Sequence, residues 1–333
     1  MGCNAGSKYL VCILLLFIQG CAQQSFLLKG KVTEDQHFSN TEILNRKVKF
    51  VELSGVPFFP QTDYQCGPAA VATIANYYHL NKTLEDIIAE IYLPERKGSL
   101  QAEVIAEFRS IGLLPYQLSP GLENILAEVE AGSPVLVLQN LGTEKIPVWH
   151  YAVVEGFDIV NKILILNSGK QERLKVSFKR FHRTWLLAGK WAIVPVPVSQ
   201  LPASANLETY ISTVADMEAL GYLESAYTAY SLASQKWPDA KLPLLGLANV
   251  SYQLKRYSQS RKYFLQALEQ DPEDADIFNN LAYVYAREQC FELAFAAVEN
   301  ALSLQPKNKN YLASKQEIKT WKKNQQKSLC LAY

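Results

Sequence analysis

Three prolines fix the register of the last third of this chain. Pro238, Pro272 and Pro306 recur at a spacing of 34 residues. Ala233, Ala267 and Ala301 stand five positions before them, and Tyr230, Phe264 and Val298 eight before. Ala226, Ser260 and Ala294 fill the position twelve before, and Leu247-Ala248 and Leu281-Ala282 match in the last two units. A proline ends a helix, a small residue lets two helices cross closely, and a large apolar residue wedges between them. Each unit is then a helix–turn–helix that buries its apolar face only by stacking on its neighbours. An unrelated helical bundle gives no reason for three prolines and their upstream neighbours to share one register.

This period is the tetratricopeptide signature. It divides the chain into units 207–240, 241–274 and 275–308, followed by 309–333, where Leu312 to Lys323 reads as a capping helix. The third unit matches best, with Phe278, Tyr285 and Phe291 in place. The first departs most, with Val214 and Met217 where a small and an aromatic residue are expected.

The 333 residues leave room for a second domain ahead of the repeats. With 49% hydrophobic and 20% charged residues, the composition is that of a globular protein. Lys and Arg total 33 against 32 Asp and Glu, so no basic excess favours nucleic acid, and no nucleic acid is expected as a partner. No CxxC pair occurs among the six cysteines, which argues against a zinc site; neither metal nor other cofactor is expected.

Residues 1–20 read as a secretory signal. Lys8 precedes an apolar run from Tyr9 to Ile18, which is too short to span a bilayer comfortably. The run ends in Ile18-Gln19-Gly20-Cys21, which resembles a bacterial lipobox. That resemblance implies acylation of Cys21 and a membrane held through the lipid. Ala22, in place of Asp, points by the same resemblance to the outer membrane, facing the periplasm. Loss of the signal removes Lys8 and no acid, which leaves the acids and bases equal in number. A polar tether, 21–47, follows. Of the cysteines outside the signal and anchor, Cys290 sits in a repeat helix and reads as core, and a Cys290–Cys330 bridge has no support in the sequence.

The segment 48–197 changes character halfway. Its first half has helical periodicity at Cys66–Leu80, Leu84–Ile91 (opened by Thr83), Ser99–Ile111 and Leu122–Ala131. Its second half has short β-branched or aromatic runs at Val135–Leu138, Tyr151–Val154, Ile163–Leu166, Leu174–Phe178 and Trp191–Val196. Helices followed by antiparallel strands make an α+β domain. The run Pro195-Val-Pro-Val-Ser-Gln-Leu-Pro202 reads as stiff, which makes 198–206 a linker into the repeats.

Cys66 opens the first of these helices, with Pro68 suited to its first turn. The helix dipole there favours a thiolate, the nucleophilic form. Of the four histidines, His37 lies in the tether, His79 too far along the same helix, and His182 among aromatics. His150 opens the strand Trp149-His-Tyr-Ala-Val-Val and is the best base. A hairpin folded about position 159 places Asn167 nearly opposite His150, where its amide fixes the imidazole tautomer. Cys–His–Asn is an established arrangement for acyl transfer. Asp158 reads as a turn residue and Trp149 as packing at the edge of the site.

Residues 56–72, 149–157 and 163–169 resemble the bacteriocin-processing peptidases, a branch of the papain-like cysteine peptidases. The resemblance rests on Gln61 ahead of Cys66-Gly67, on His150-Tyr-Ala-Val-Val opening a strand, and on Asn167 closing the next. It implies Cys66 as nucleophile, His150 as base and then acid, Asn167 as orienting residue, and Gln61 as oxyanion donor beside the Cys66 N–H. Gln61 lies five residues before Cys66 where six is commoner, so Gln65 stays open for the oxyanion role. Many relatives carry Asp where this chain has Asn167. No GxxxxGK[ST] phosphate loop is present, so leader-peptide cleavage by a fused exporter is not implied. The expectation is a lipid-anchored cysteine peptidase of the bacterial envelope that hydrolyses peptide bonds, with the repeats docking a protein partner or substrate. Alternatives are a non-catalytic peptide-binding scaffold, or an amidase or acyl transferase using the same three residues.

Overall fold

The protein is described from a computed structural model, over residues 43, 45–61, 64–323 and 330. The signal, Cys21, Ala22, His37 and most of the tether lie outside these residues. The end of the tether is not loose: Ile43 is buried, and Arg46 pairs with Glu130.

The helices of the first domain form where apolar periodicity and caps agree. Helix α1 (Cys66–Tyr77) is built from small residues and is buried from Gly67 to Ala75. Helix α2 (Leu84–Ile91) opens on Thr83 with a full capping box: its side chain accepts from the Asp86 N–H while Asp86 accepts from the Thr83 N–H. Helices α3 (Gln101–Ser110) and α4 (Leu122–Glu130) follow, separated by strand β2 (Leu113–Gln117). Phe50–Glu52 (β1) precedes them all.

The strands β3 (Val135–Asn140), β4 (Trp149–Asp158), β5 (Ile163–Ser168), β6 (Gln171–Ser177) and β7 (Ala192–Pro197) complete one antiparallel sheet in the order β2-β7-β3-β4-β5-β6. β1 pairs with β4 beyond the reach of β3, placing Glu52 opposite Gly156. The expected strand through Phe178 ends one residue earlier, and helix α5 (Phe178–Leu186) follows. Ser177 caps it, and Phe178, Phe181 and Trp185 form its buried face.

The core between α1 and the sheet is apolar: Val71, Ile74, Val104 and Phe108 meet Leu136, Tyr151 and Val153. At about 1.5–3 kcal/mol per fully buried large side chain, this layer is the main hold on α1 and thus on Cys66.

The remainder is helical. Pairs α6/α7 (Leu207–Ala219, Leu223–Lys236), α8/α9 (Lys241–Gln253, Tyr257–Gln270) and α10/α11 (Ala275–Arg287, Phe291–Leu304) precede α12 (Lys309–Lys323). The residues in register are the buried ones: Ala226, Ser260 and Ala294 between helices, and Tyr230, Phe264 and Val298 as wedges. Gly246 shows why small residues are needed, since a Cβ there would come within 2.6 Å of the Tyr230 ring.

Two features depart from the sequence reading. The 198–206 segment is bound to the first domain, not strung between domains. The Glu128 carboxylate, fully buried, accepts from the Ala203 and Ser204 N–H groups and from Ser204 Oγ. Tyr116 on β2 accepts from the Asn206 backbone and side chain, and its ring lies 6.4 Å from that of Tyr210. Second, Cys290 forms a disulfide with Cys330, which ties the C-terminal segment back to the start of α11. Among the described residues no helix is long and apolar enough to cross a membrane.

Candidate active site

Cys66 stands at the first position of α1, after Gln65 as N-cap. The start of a helix leaves backbone N–H groups unused along its axis, so a side chain placed there meets aligned donors. The adjoining Gly67 is required by space: a Cβ would fall 2.8 Å from the Cβ and Oγ of Ser99. This contact presses α1 against the segment before α3.

A cleft of roughly 1270 Å³ opens over Cys66. Gln61, Tyr64, Trp149, His150 and Gly169 share its wall with Cys66. All its described lining residues belong to the first domain. Trp149, more than half exposed, lies beside Ile146 and Val148, which are also exposed, at the tip of the β3–β4 hairpin. The structure thus brings Cys66, His150 and Gln61 to one cavity.

Asn167 is not brought to His150. The β4–β5 ladder pairs Asp158 with Ile163, so the hairpin turns later than position 159 and Asn167 falls opposite Val153, while a bulge between Val154 and Gly156 sets the face it takes. A register change moves side chains to the other face. Asn167 therefore donates through Nδ2 to Glu155 at 2.8 Å and accepts the Arg173 N–H at 3.1 Å. The residue that reaches the imidazole is Ser168, with 2.8 Å between His150 Nε2 and Ser168 Oγ. Sequence reading missed it; the signal was its place in Asn167-Ser168-Gly169 at the strand end.

Gly169 follows in the left-handed region at φ 62°, which glycine adopts without strain. Its carbonyl accepts the Gln61 N–H at 3.2 Å. One turn thus holds both the histidine's partner and the segment that carries Gln61. Gln65, the other oxyanion candidate, serves as N-cap, and its carbonyl accepts the Ala69 N–H.

The electrostatics depart from the expected thiolate. Burial pushes the Cys66 thiol above its ordinary value, while backbone groups of Tyr151, Gly67 and Cys66 itself pull the other way and do not prevail. Burial also holds His150 below its ordinary value. Both shifts work against the charged thiolate–imidazolium form. Further along β4, burial raises Glu155 to about 7, despite the nearby Arg173 guanidinium and the Asn167 hydrogen bond, which act to lower it.

Comparison with known proteins agrees with this architecture. Residues 53–193 match the Peptidase_C39 like family, and residues 248–289 match a TPR repeat. No curated protein matches the chain. Among solved structures, a C39-like peptidase from Bacillus anthracis aligns at 17% identity and TM-score 0.39, over 45% of this chain and 98% of its own. The peptidase domain of Streptococcus ComA, a bi-functional ABC transporter involved in a quorum sensing pathway, aligns at 20% identity and TM-score 0.35, over 43% of this chain and 98% of its own. The second TPR domain of human RPAP3, in complex with an HSP70 peptide, aligns at 18% identity and TM-score 0.33, over 34% of this chain and 95% of its own. On the two family matches, with the α+β sheet domain and the helix pairs described above, the chain carries a C39-like peptidase domain followed by tetratricopeptide repeats.

Proposed function

We propose that this chain is a cysteine peptidase held on the membrane of a bacterial envelope, on its outer-membrane face toward the periplasm, through a lipid on Cys21. The observation that supports it best is the placement of Cys66, at a helix start, and His150, at a strand start, on the wall of one open cleft. Cys66 Sγ attacks the carbonyl carbon of a bound peptide, and its proton passes to His150. The carbonyl oxygen gains charge and accepts from the Cys66 N–H and the Gln61 side-chain amide. The C–N bond breaks as His150 returns the proton to the leaving amine. Water, deprotonated by His150, then attacks the thioester and releases the acid and the free thiol. Ser168 orients the imidazole, the part first expected of Asn167. The repeats dock a protein partner or the substrate itself.

The test is labelling and turnover on one preparation. Cys66 is expected to react with an alkylator, and cleavage of a peptide pool is expected to vanish on alkylation and in Cys66→Ala. Turnover that persists in Cys66→Ala overturns the assignment. Labelled fatty acid is expected to enter the wild type and not Cys21→Ala.

A second reading, a peptide-binding scaffold without catalysis, is favoured by one observation. Burial pushes the Cys66 thiol up, and among the described residues no charged group hydrogen-bonds His150. Binding without turnover in the same assay would select it. Amidase or acyl transferase chemistry would appear as turnover of non-peptide acyl donors.

A further inference from the structure

His150 divides the cleft from a second recess of roughly 480 Å³. Gln139, Ser168, Arg180 and Thr184 line this recess, while His150, Gly169 and Lys170 border both cavities. Among the described residues, the charged side chains lining the two are Glu95, Arg96, Lys97, Lys170 and Arg180, four cations against one anion. The chain as a whole has 33 basic and 32 acidic side chains, so the excess is local.

These cations also differ in how they are held. The ion pairs of the described residues engage Arg46, Arg109, Arg173, three cations of the repeats and two of α12. None of the four around the cleft is in an ion pair among the described residues. Lys97 lies over the Tyr64 ring at 5.5 Å. Arg180 is set in the first turn of α5, where its N–H is bonded by the Ser177 cap. Lys170 follows the turn that the Gln61–Gly169 hydrogen bond anchors. Both positions are fixed by the backbone, and both side chains are exposed to the recess. A concave wall with one sign of charge concentrates its field on a ligand of the opposite sign. An arginine fork with a neighbouring ammonium is suited to a carboxylate.

We propose that the recess beside His150 is a subsite for a carboxylate of the bound peptide, held by Arg180 and Lys170, and that the protein selects acidic peptides. This rests on the peptidase reading of the adjoining cleft. The carboxylate is that of an Asp or Glu side chain or of a free C-terminus, and the chemistry of recognition is the same.

The test measures binding of rhodamine-labelled decapeptides to full-length Cys66→Ala protein by fluorescence polarisation. One peptide carries two Glu and a C-terminal amide; a second has Gln in their place and a free C-terminus; a third has Gln and the amide. At least one of the first two is expected to bind about tenfold more tightly than the third, the worth of one charge-assisted hydrogen bond. Which of them gains identifies the side chain or the C-terminus as the source. The gain is expected to shrink with added salt and to vanish in Arg180→Glu/Lys170→Glu, but to persist in Lys262→Glu on the repeats. Equal affinity for all three peptides, or a gain that survives the double reversal, overturns the subsite. Cleavage is scored separately with the Cys66 protein. If it cleaves none of the peptides, the peptidase reading fails, while the binding preference still decides the subsite.

Discussion

His150 Nε2 and Ser168 Oγ lie 2.8 Å apart across β4 and β5, while Asn167, one residue earlier, bonds Glu155 on the other side of the sheet. The two neighbours therefore predict different losses. Ser168→Ala is expected to lower kcat/KM about tenfold, the worth of one net hydrogen bond to the imidazole, and to leave folding nearly unchanged. Asn167→Ala strips a buried carboxyl of its donor and is expected to cost about 1–3 kcal/mol of stability. Paired kinetics and urea melts check this. A large kinetic loss in Asn167→Ala with an intact fold would return the orienting role to Asn167.

The protonation of the cysteine–histidine pair predicts a pH profile. Burial raises the thiol from 9.0 and lowers the imidazole from 6.5, so charge separation is disfavoured on both sides. The rate of Cys66 alkylation by iodoacetamide is expected to keep climbing above about pH 8. A plateau reached below about pH 6 would reveal a preformed thiolate–imidazolium pair.

Glu155 links stability to pH. Its folded value of about 7 lies above the ordinary 4.5, so the folded state binds its proton more tightly than the unfolded state. The resulting stability is present below about pH 4.5 and is lost as pH rises through 7, by up to about 3 kcal/mol. Glu155→Gln cannot ionise, and denaturant melts from pH 5 to pH 8 are expected to show a flatter loss than the wild type. Parallel curves for the two proteins would show that Glu155 does not carry this dependence.

How much of this was legible follows from what each residue needs from its neighbours. Pro68, the Thr83 cap and the proline register are local signals, and helices begin where they point. Phe178, Phe181 and Trp185 have strand-forming side chains, yet their spacing is helical and Ser177 caps them, so local composition misled where periodicity was informative. Strand β2 was hidden by Pro115, which is tolerated because β2 is an edge strand. Cys66, His150 and Gln61, which line one cleft, could be singled out because each sits at the start of an element or close ahead of one. The partner of His150 was not, because it depends on a hairpin that turns later than position 159 and on a bulge between Val154 and Gly156 that has no local signature.

The Cys290–Cys330 bridge closes a 40-residue separation and fastens the chain beyond α12. Chain-entropy arguments put the loss on removing such a link at up to about 4 kcal/mol. Cys290→Ala/Cys330→Ala is expected to lower the melting temperature of the repeats, and non-reducing peptide maps of the wild type should contain the linked pair. Equal melting of the two proteins would limit the bridge to the tail.

The attachment of the repeats at β2 bears on how this protein is to be cut. β2 is the last strand of the sheet, and α6 lies against it, with Tyr116 and Tyr210 buried together and Glu128 clasping the approach. A fragment ending near residue 197 would bare an apolar rim and leave a buried carboxylate without its donors. Such a fragment is expected to aggregate, while the intact chain melts in one transition. The boundary drawn by sequence family is therefore expected not to be a boundary of folding, because Ala203, Ser204 and Tyr210 cover the rim of the first domain.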